Sequence, residues 1–236
     1  NRYVLEETVK HAAASGAQWI ITPELATCGL QFARVIGTDW IQPQPDEWMG
    51  RFCQLVRDLK QTVFLSCPER DSGRLYNSVF VINSRGEIIG KHRKINVRSD
   101  SLSWSSPGEV TVPLQCDGMM VGLLVCADAF TPGIASTLKS KGAQILVSPA
   151  SWGPGIHGPN GEWEERTRET GLPLIVCNRT GAEKTLDFWK APSVIVKNGR
   201  RLLSHTSDQS AVLIFDWNFI SMTPLSTAYQ AEYLRE

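Results

Sequence analysis

The sequence predicts an α/β layered sandwich in a single domain spanning residues 1–236. Three observations carry that expectation. Amphipathic helical stretches and short apolar strand stretches interleave through the first two-thirds of the chain, and strands dominate the end. A length of 236 residues with 42% hydrophobic side chains is enough to bury a large core. The charged fraction of 20% is too low for a disordered chain, and no linker or repeat of fixed period divides it.

The elements follow in order. Residues 2–15 read as a helix with Leu5, Val9, Ala12 and Ala13 on one face and Gly16 placed to end it. "QWIIT" is a short buried strand that delivers Pro23 and Glu24. A second helix is predicted near 46–60, with Asp46 as N-cap and a stripe of Trp48, Phe52, Leu55, Val56 and Leu59. "TVFLSC" reads as a strand, and "LYNSVFVINSRGEIIGKHRK" as a hairpin turning at Ser84, Arg85 and Gly86. "SLSWSSPGE" is loop chemistry, and "MMVGLLVC" is an apolar strand ending at Cys126. Thr131-Pro132 supplies an N-cap and a first-turn proline for a helix that buries Ile134, Ala135 and Leu138 and stops at Gly142. "QILVS" is a buried strand, followed by a Pro/Gly-rich loop over 153–161 and a helix near 162–171. "LPLIVC", "APSVIVK" and "AVLIFD" complete the strands.

Composition narrows the function classes. Twenty-four basic and 24 acidic side chains balance, which favours neither nucleic acid nor an anionic membrane as partner. "KHRK" and "KNGRR" read as solvated turns, and no apolar run reaches the length of a membrane span. The six cysteines form no C-x-x-C pair, so reduced thiols in a cytoplasmic setting are the expectation. Asn1 is not a methionine and stands at a helix start, so the chain reads as trimmed, with a preceding targeting segment left open.

Several motifs are weak. Gly153, Gly155 and Gly158 match G-x-G-x-x-G, but Pro154 and Pro159 interrupt them, and a surface loop is the better reading. The sequon Asn178-Arg179-Thr180 follows a buried strand and suits a glycan poorly. His11, His92, His157 and His205 have no metal-ligand spacing, and neither His92 nor His157 stands in a persuasive context as a base for Cys126.

Glu24, Lys94 and Cys126 are better placed. Each lies just beyond a predicted strand, where reacting groups gather in open α/β sheets. A carboxylate can take the proton of a thiol near its reference pKa of about 8.5, and an ammonium can counter charge on a carbonyl oxygen. On position and chemistry alone, a Glu24–Lys94 salt bridge beside an inert core thiol is the plainer reading.

Four longer segments then bear on the choice. "AAASGAQWIITPELATCGL", "GEIIGKHRK" and "VGLLVCADAFTPGIASTLKSKGAQILVSPASW" resemble the three signature regions of the nitrilase superfamily of carbon–nitrogen hydrolases. "RTRETGLPLIVCNRTG" is similar to a fourth segment, and the four occur in the family order across most of the chain. The resemblance implies a four-layer α-β-β-α sandwich, assembled as a homodimer or larger homo-oligomer. It matches Glu24 to a general base, Lys94 to the family lysine and Cys126 to the nucleophile of a thioester mechanism that uses no metal or cofactor. It also implies that the Ala127 N–H helps hold the oxyanion and that Trp152 lines the acyl pocket. The family's first core strand would precede Asn1 and is missing from the sequence.

The departures from the family pattern refine the expectation. Ala127-Asp128 follows the cysteine where nitrilases usually carry Trp-Glu, and it stands nearer the Tyr-Asp of amidase-like branches. "FTPG" lacks the usual carboxylate at Gly133, and "KINV" lacks the usual His-Leu. Asp100 is the one carboxylate in the stretch where many members place a second active-site glutamate. The leading expectation is a cofactor-independent thiol amidohydrolase for a small linear amide or carbamoyl compound. Nitrile hydrolysis, acyl transfer to an amine, and a non-catalytic binding or scaffold role are the alternatives. Loops 98–106 and 153–161 are expected to shape the pocket.

Overall fold

In the computed structural model, residues 1–97, 103–109, 111–155 and 158–234 are described. The chain opens with α1 (Arg2–Ala14), β1 (Trp19–Ile21), a short α2 (Phe32–Ile36), α3 (Glu47–Leu59), and the strands β2 (Thr62–Asp71), β3 (Arg74–Ile82) and β4 (Ile88–Arg93). These four strands form one sheet in the order β1-β2-β3-β4, with β1 and β2 parallel and the rest antiparallel. Asp46 caps α3 as its sequence position suggests, accepting from the Met49 N–H at 2.8 Å. The β3–β4 turn is set by Asn83, whose Oδ1 accepts from Arg85 N and Glu87 N. Gly86 is obligatory there: it has φ 75°, and a Cβ would stand 2.4 Å from the Cys53 carbonyl oxygen.

The second sheet has six strands, β5 (Leu114–Cys116), β6 (Met119–Leu123), β7 (Ile145–Ala150), β8 (Leu174–Asn178), β11 (Ser193–Lys197) and β12 (Arg200–His205). Strands β6, β7 and β8 are parallel, joined through α4 (Ile134–Ser140) and α5 (Glu162–Thr170). A short hairpin, β9 (Ala182–Glu183) and β10 (Leu186–Asp187), interrupts the path from β8 to β11. At the end, β13 (Ala211–Ile214) pairs with β16 (Gln230–Tyr233) around the hairpin β14 (Trp217–Asn218) and β15 (Thr223–Pro224).

Alternation along β2 and β3 creates the layers. Val63, Leu65, Phe80 and Ile82 face outward and pack against Leu5, Val9 and Ala12 of α1 and Trp48, Phe52 and Val56 of α3. Phe64, Val79 and Val81 face inward and share a core with Val121, Leu123, Val147 and Val176 of the second sheet. That core continues to Ala135 and Leu138 of α4 and Trp163 of α5. The result is the four-layer α-β-β-α sandwich. A cavity of about 1160 Å³ runs along β1 and is bounded by α1 and by Val212 and Leu213 of β13.

Two local expectations are corrected. The apolar strand ends at Leu123, not at Cys126, because Cys126 opens a 3-10 turn, Cys126–Phe130. The following helix starts at Ile134 with Gly133 at its cap (φ 91°), so Thr131-Pro132 does not begin it. Instead, the Thr131 N–H closes the preceding turn onto the Asp128 carbonyl at 3.1 Å. The short α2, β5, the β9–β10 hairpin and β16 had no clear sequence signal. The 153–158 glycines sit in a loop, where Gly158 N bonds back to Gly155 O at 3.0 Å, while residues 156–157 lie outside the described residues. All six cysteines are free, and among the described residues no helix is long and apolar enough to cross a membrane.

The outer core gives a direct test. Phe52 is buried and stacks on Trp48 with ring centroids 5.0 Å apart. Phe52→Ala should lower stability by about 3–5 kcal/mol in urea unfolding. A loss below about 1 kcal/mol would show that α3 does not seal this layer.

Candidate active site

Glu24 is placed by the chain leaving β1. Thr22 Oγ1 donates to Phe64 O and accepts from Ser66 N, both at 3.0 Å, and Leu25 N donates to Ser66 Oγ at 3.0 Å. Glu24 N reaches across to Ala150 O of the second sheet at 3.2 Å. Its carboxylate is fully buried. Oε1 accepts from Lys94 Nζ at 2.6 Å and from Asn77 Nδ2 at 2.7 Å. Oε2 has no partner among the described residues.

Lys94 follows directly on β4. Its N–H donates to Asn77 O and its carbonyl accepts from Gly108 N, both at 2.8 Å. Gly108, from the "SSPGE" loop, packs so closely that a Cβ would stand 2.3 Å from the Arg93 carbonyl oxygen. Burial alone would favour the neutral amine. The negative charge of Glu24 and the hydrogen bond to it outweigh burial, so the Lys94 pKa is raised and the group stays an ammonium.

Cys126 takes φ 49°, a left-handed conformation that costs a non-glycine residue about 1–3 kcal/mol. The surrounding structure holds it there through Asp128. One oxygen of this buried carboxylate accepts from Ile95 N (2.9 Å) and Asn96 N (2.8 Å), just after Lys94. The other accepts from Val125 N at 2.9 Å and lies 2.8 Å from His92 Nε2. Asp128 therefore fastens the lysine segment to the cysteine turn. Burial works against its charge, but His92 and the backbone donors outweigh burial and hold its pKa below the usual range.

The thiol itself is not preionised. Burial, then the neighbouring Glu24 charge, push Cys126 up to about 12, against the smaller opposing effects of Lys94 and the Ser151 backbone N–H. At neutral pH the resting group is S–H.

Glu24, Lys94 and Cys126 thus converge from both sheets. Ala127 follows the thiol within the turn, and its carbonyl accepts from Asn96 Nδ2 at 2.8 Å. Trp152 lies just beyond β7 in the same core as Cys126, edge-on to Trp163 with centroids 5.5 Å apart. His92 is bound to Asp128, which rules against it as the base for Cys126. His157 and Asp100 lie outside the described residues. Two departures from the family pattern meet in space: Asn96, in "KINV", donates through Nδ2 to Thr131 Oγ1, in "FTPG", at 2.8 Å. Asn77, Asn96 and the tying role of Asp128 were missed in sequence. Asn77 had no signal, while Asp128 was visible only as the residue two after the cysteine.

The family model for carbon–nitrogen hydrolases matches residues 2–225. The chain belongs to the carbon–nitrogen hydrolase family and is an enzyme of that class. It is 31% identical over 206 residues to a protein named nitrilase from Pyrococcus abyssi, covering 86% of this chain and 77% of that one. It is 26% identical over 221 residues to omega-amidase NIT2 of Danio rerio, covering 86% and 78%. The fold is shared with the crystal structure of an amidase from Nesterenkonia sp., with TM-score 0.76, 24% identity and coverage of 87% and 80%.

Asp128→Ala should cost about 3–5 kcal/mol, since His92 and three backbone N–H groups lose their acceptor. The depressed Asp128 pKa adds stability that is present above the ordinary aspartate range near pH 4 and lost as pH falls through the folded value. Acid unfolding should therefore be steeper below pH ~4 in the parent than in Asp128→Asn. Identical acid profiles would remove the carboxylate from this role.

Proposed function

We propose that the chain is a thiol amidohydrolase that cleaves a small linear amide or carbamoyl compound without a cofactor. The observation that carries this reading is Glu24: Oε1 is taken by Lys94 and Asn77, while buried Oε2 is free beside a neutral Cys126 thiol. An acceptor in that position is suited to receive the thiol proton.

In the proposed course, Sγ attacks the substrate carbonyl carbon as its proton passes to Glu24. The carbonyl oxygen becomes an oxyanion facing the Lys94 ammonium and the Ala127 N–H. Glu24 then returns the proton to the leaving nitrogen, which departs as ammonia or an amine and leaves a thioester on Cys126. A water gives its proton to Glu24 and attacks the thioester carbon. Collapse expels the sulfur, which is reprotonated, and releases the acid. Lys94 stays charged throughout, because its shift runs upward, and so serves as a fixed cation.

Amides are favoured over nitriles by Ala127-Asp128, which stands nearer the amidase-like pattern. The omega-amidase name of one relative accords with that preference, and the nitrilase name of another marks the competing reaction.

The test is ammonia release from a panel of short amides, carbamoyl amines and nitriles, with and without amine acceptors. Cys126→Ala should release none above the uncatalysed rate. Glu24→Gln should lower kcat by about 10²–10⁴, and mass mapping of Cys126 should show the bound acyl group. Turnover by Cys126→Ala equal to the parent would overturn the mechanism. Preference for nitriles, or a new amide product with acceptors, would overturn the reaction class.

A further inference from the structure

The Asn178-Arg179 pair, which entered as an unconvincing glycan sequon, stands at the carboxyl end of β8 against the site. Asn178 is buried, and its amide works on neighbouring backbone. Oδ1 accepts from Trp152 N at 2.9 Å and Nδ2 donates to Trp152 O at 3.0 Å and Pro192 O at 3.1 Å. Both main-chain polar groups of Trp152 are thereby fixed by one side chain.

Arg179 reaches further. Its N–H donates to Ala150 O at 3.1 Å, the same carbonyl that accepts from Glu24 N. Its Nε donates to Ser151 Oγ at 3.1 Å, and Ser151 Oγ in turn donates to Glu24 O at 3.1 Å. Nη2 donates to Glu24 O at 2.9 Å and to Leu25 O at 3.3 Å. Leu25 takes φ 50°, so the chain directly after Glu24 is in a conformation that its surroundings must hold. The remaining guanidinium nitrogen, Nη1, pairs with Glu183 Oε1 at 3.0 Å. Glu183 also accepts from Leu30 N at 2.8 Å and Gln31 N at 2.7 Å, which ties down the loop leading away from Glu24.

The two chains that Arg179 joins both face the thiol. Glu24 supplies the carboxylate, and the backbone N–H of Ser151 points at the Cys126 sulfur. A guanidinium fork can span both at once, whereas a lysine ammonium on a flexible stem has no fixed geometry with which to do so.

We propose that Arg179, braced by Glu183, is a positioning residue for the chemistry at Cys126: its guanidinium locks the main chain of Glu24 to the Ser151 hydroxyl and so sets where the proton acceptor stands relative to the sulfur. This rests on the reading of Glu24 as base and Cys126 as nucleophile. Arg179 touches no reacting atom in this scheme. It acts through the Glu24 and Leu25 carbonyls on one side and the Ser151 hydroxyl on the other.

The test uses the full chain and 2-chloroacetamide, with alkylation of Cys126 followed by mass mapping between pH 6 and pH 9. In the parent, labelling should vary little with pH, because Glu24 takes the proton during attack. Arg179→Gln should label at least tenfold more slowly at pH 7 and regain rate as pH rises, because bulk hydroxide then replaces the displaced base. Arg179→Lys should behave like Arg179→Gln, and on any amide found to be a substrate both should lower kcat far more than they change KM. Ser151→Ala, which removes one hydroxyl, should move the profile in the same direction by about threefold and serves if the arginine variants do not fold. A lowered unfolding temperature with the parental labelling profile would make Arg179 purely structural and overturn the proposal. So would full rescue by lysine, or a parental profile in Ser151→Ala. Failure of the parent to release ammonia from any amide would count against the catalytic reading instead, and the labelling comparison would still decide whether Arg179 sets the base against the thiol.

Discussion

The site depends on one buried ion pair, Glu24 with Lys94 at 2.6 Å. Taking two charges out of water costs several kcal/mol per ion, and their attraction repays this only with good geometry and further hydrogen bonds. Here Asn77 supplies a second donor to the same oxygen. The pair keeps the lysine charged inside the protein and directs both of its donors to one side of the carboxylate. The other oxygen, Oε2, is left without a partner among the described residues. An isolated buried carboxylate would tend to protonate, and an isolated buried lysine would tend to lose its charge. Beside Glu24, Lys94 is held as a cation despite its burial.

That pair belongs to the first sheet and the thiol to the second, so the face-to-face packing of the sheets decides whether the three side chains meet. Phe64, Val79 and Val81 meet Val121, Leu123 and Val147 in the inner core and fix the sheet spacing. Polar ties then set the register at the carboxyl ends. Glu24 N bonds to Ala150 O on one side, and Asp128 joins the Lys94 segment to the Cys126 turn on the other. The left-handed Cys126 is affordable because these bonds over-determine it. The apolar core brings the sheets together, and the Asp128 carboxylate and the Glu24 N–H tie their ends.

Much of this was legible in the chain. The strand "TVFLSC" and the helical stripe from Trp48 to Leu59 were both readable, and Asp46 marked a helix start that the hydrogen bonds bear out. Glu24, Lys94 and Cys126 stood out because each followed an apolar strand. What sequence could not convey was the turn between Leu123 and Cys126. "GLLVC" reads as continuous strand, and only Asp128, satisfied by groups 32–36 positions away, explains why the chain breaks off. Thr131-Pro132 had sound helix-start chemistry, yet Thr131 was drawn into the 3-10 turn and toward Asn96, which delayed the helix to Ile134. Asn77 and Arg179 were invisible for the same reason. Their roles lie in long-range contacts, Asn77 with the Glu24 carboxylate and Arg179 with the Glu24 and Leu25 carbonyls, and no local pattern encodes those.

The central claim is that Cys126 rests as a neutral thiol and is activated by Glu24 during attack. Thiolate absorbance near 240 nm, measured as the difference between the parent and Cys126→Ala across pH 5–10, tests it most directly. Because burial and Glu24 push the thiol up to about 12, no Cys126 thiolate should appear below pH 9. A thiolate already present at pH 7, with a midpoint at or below the ordinary cysteine value of about 8.5, would contradict it.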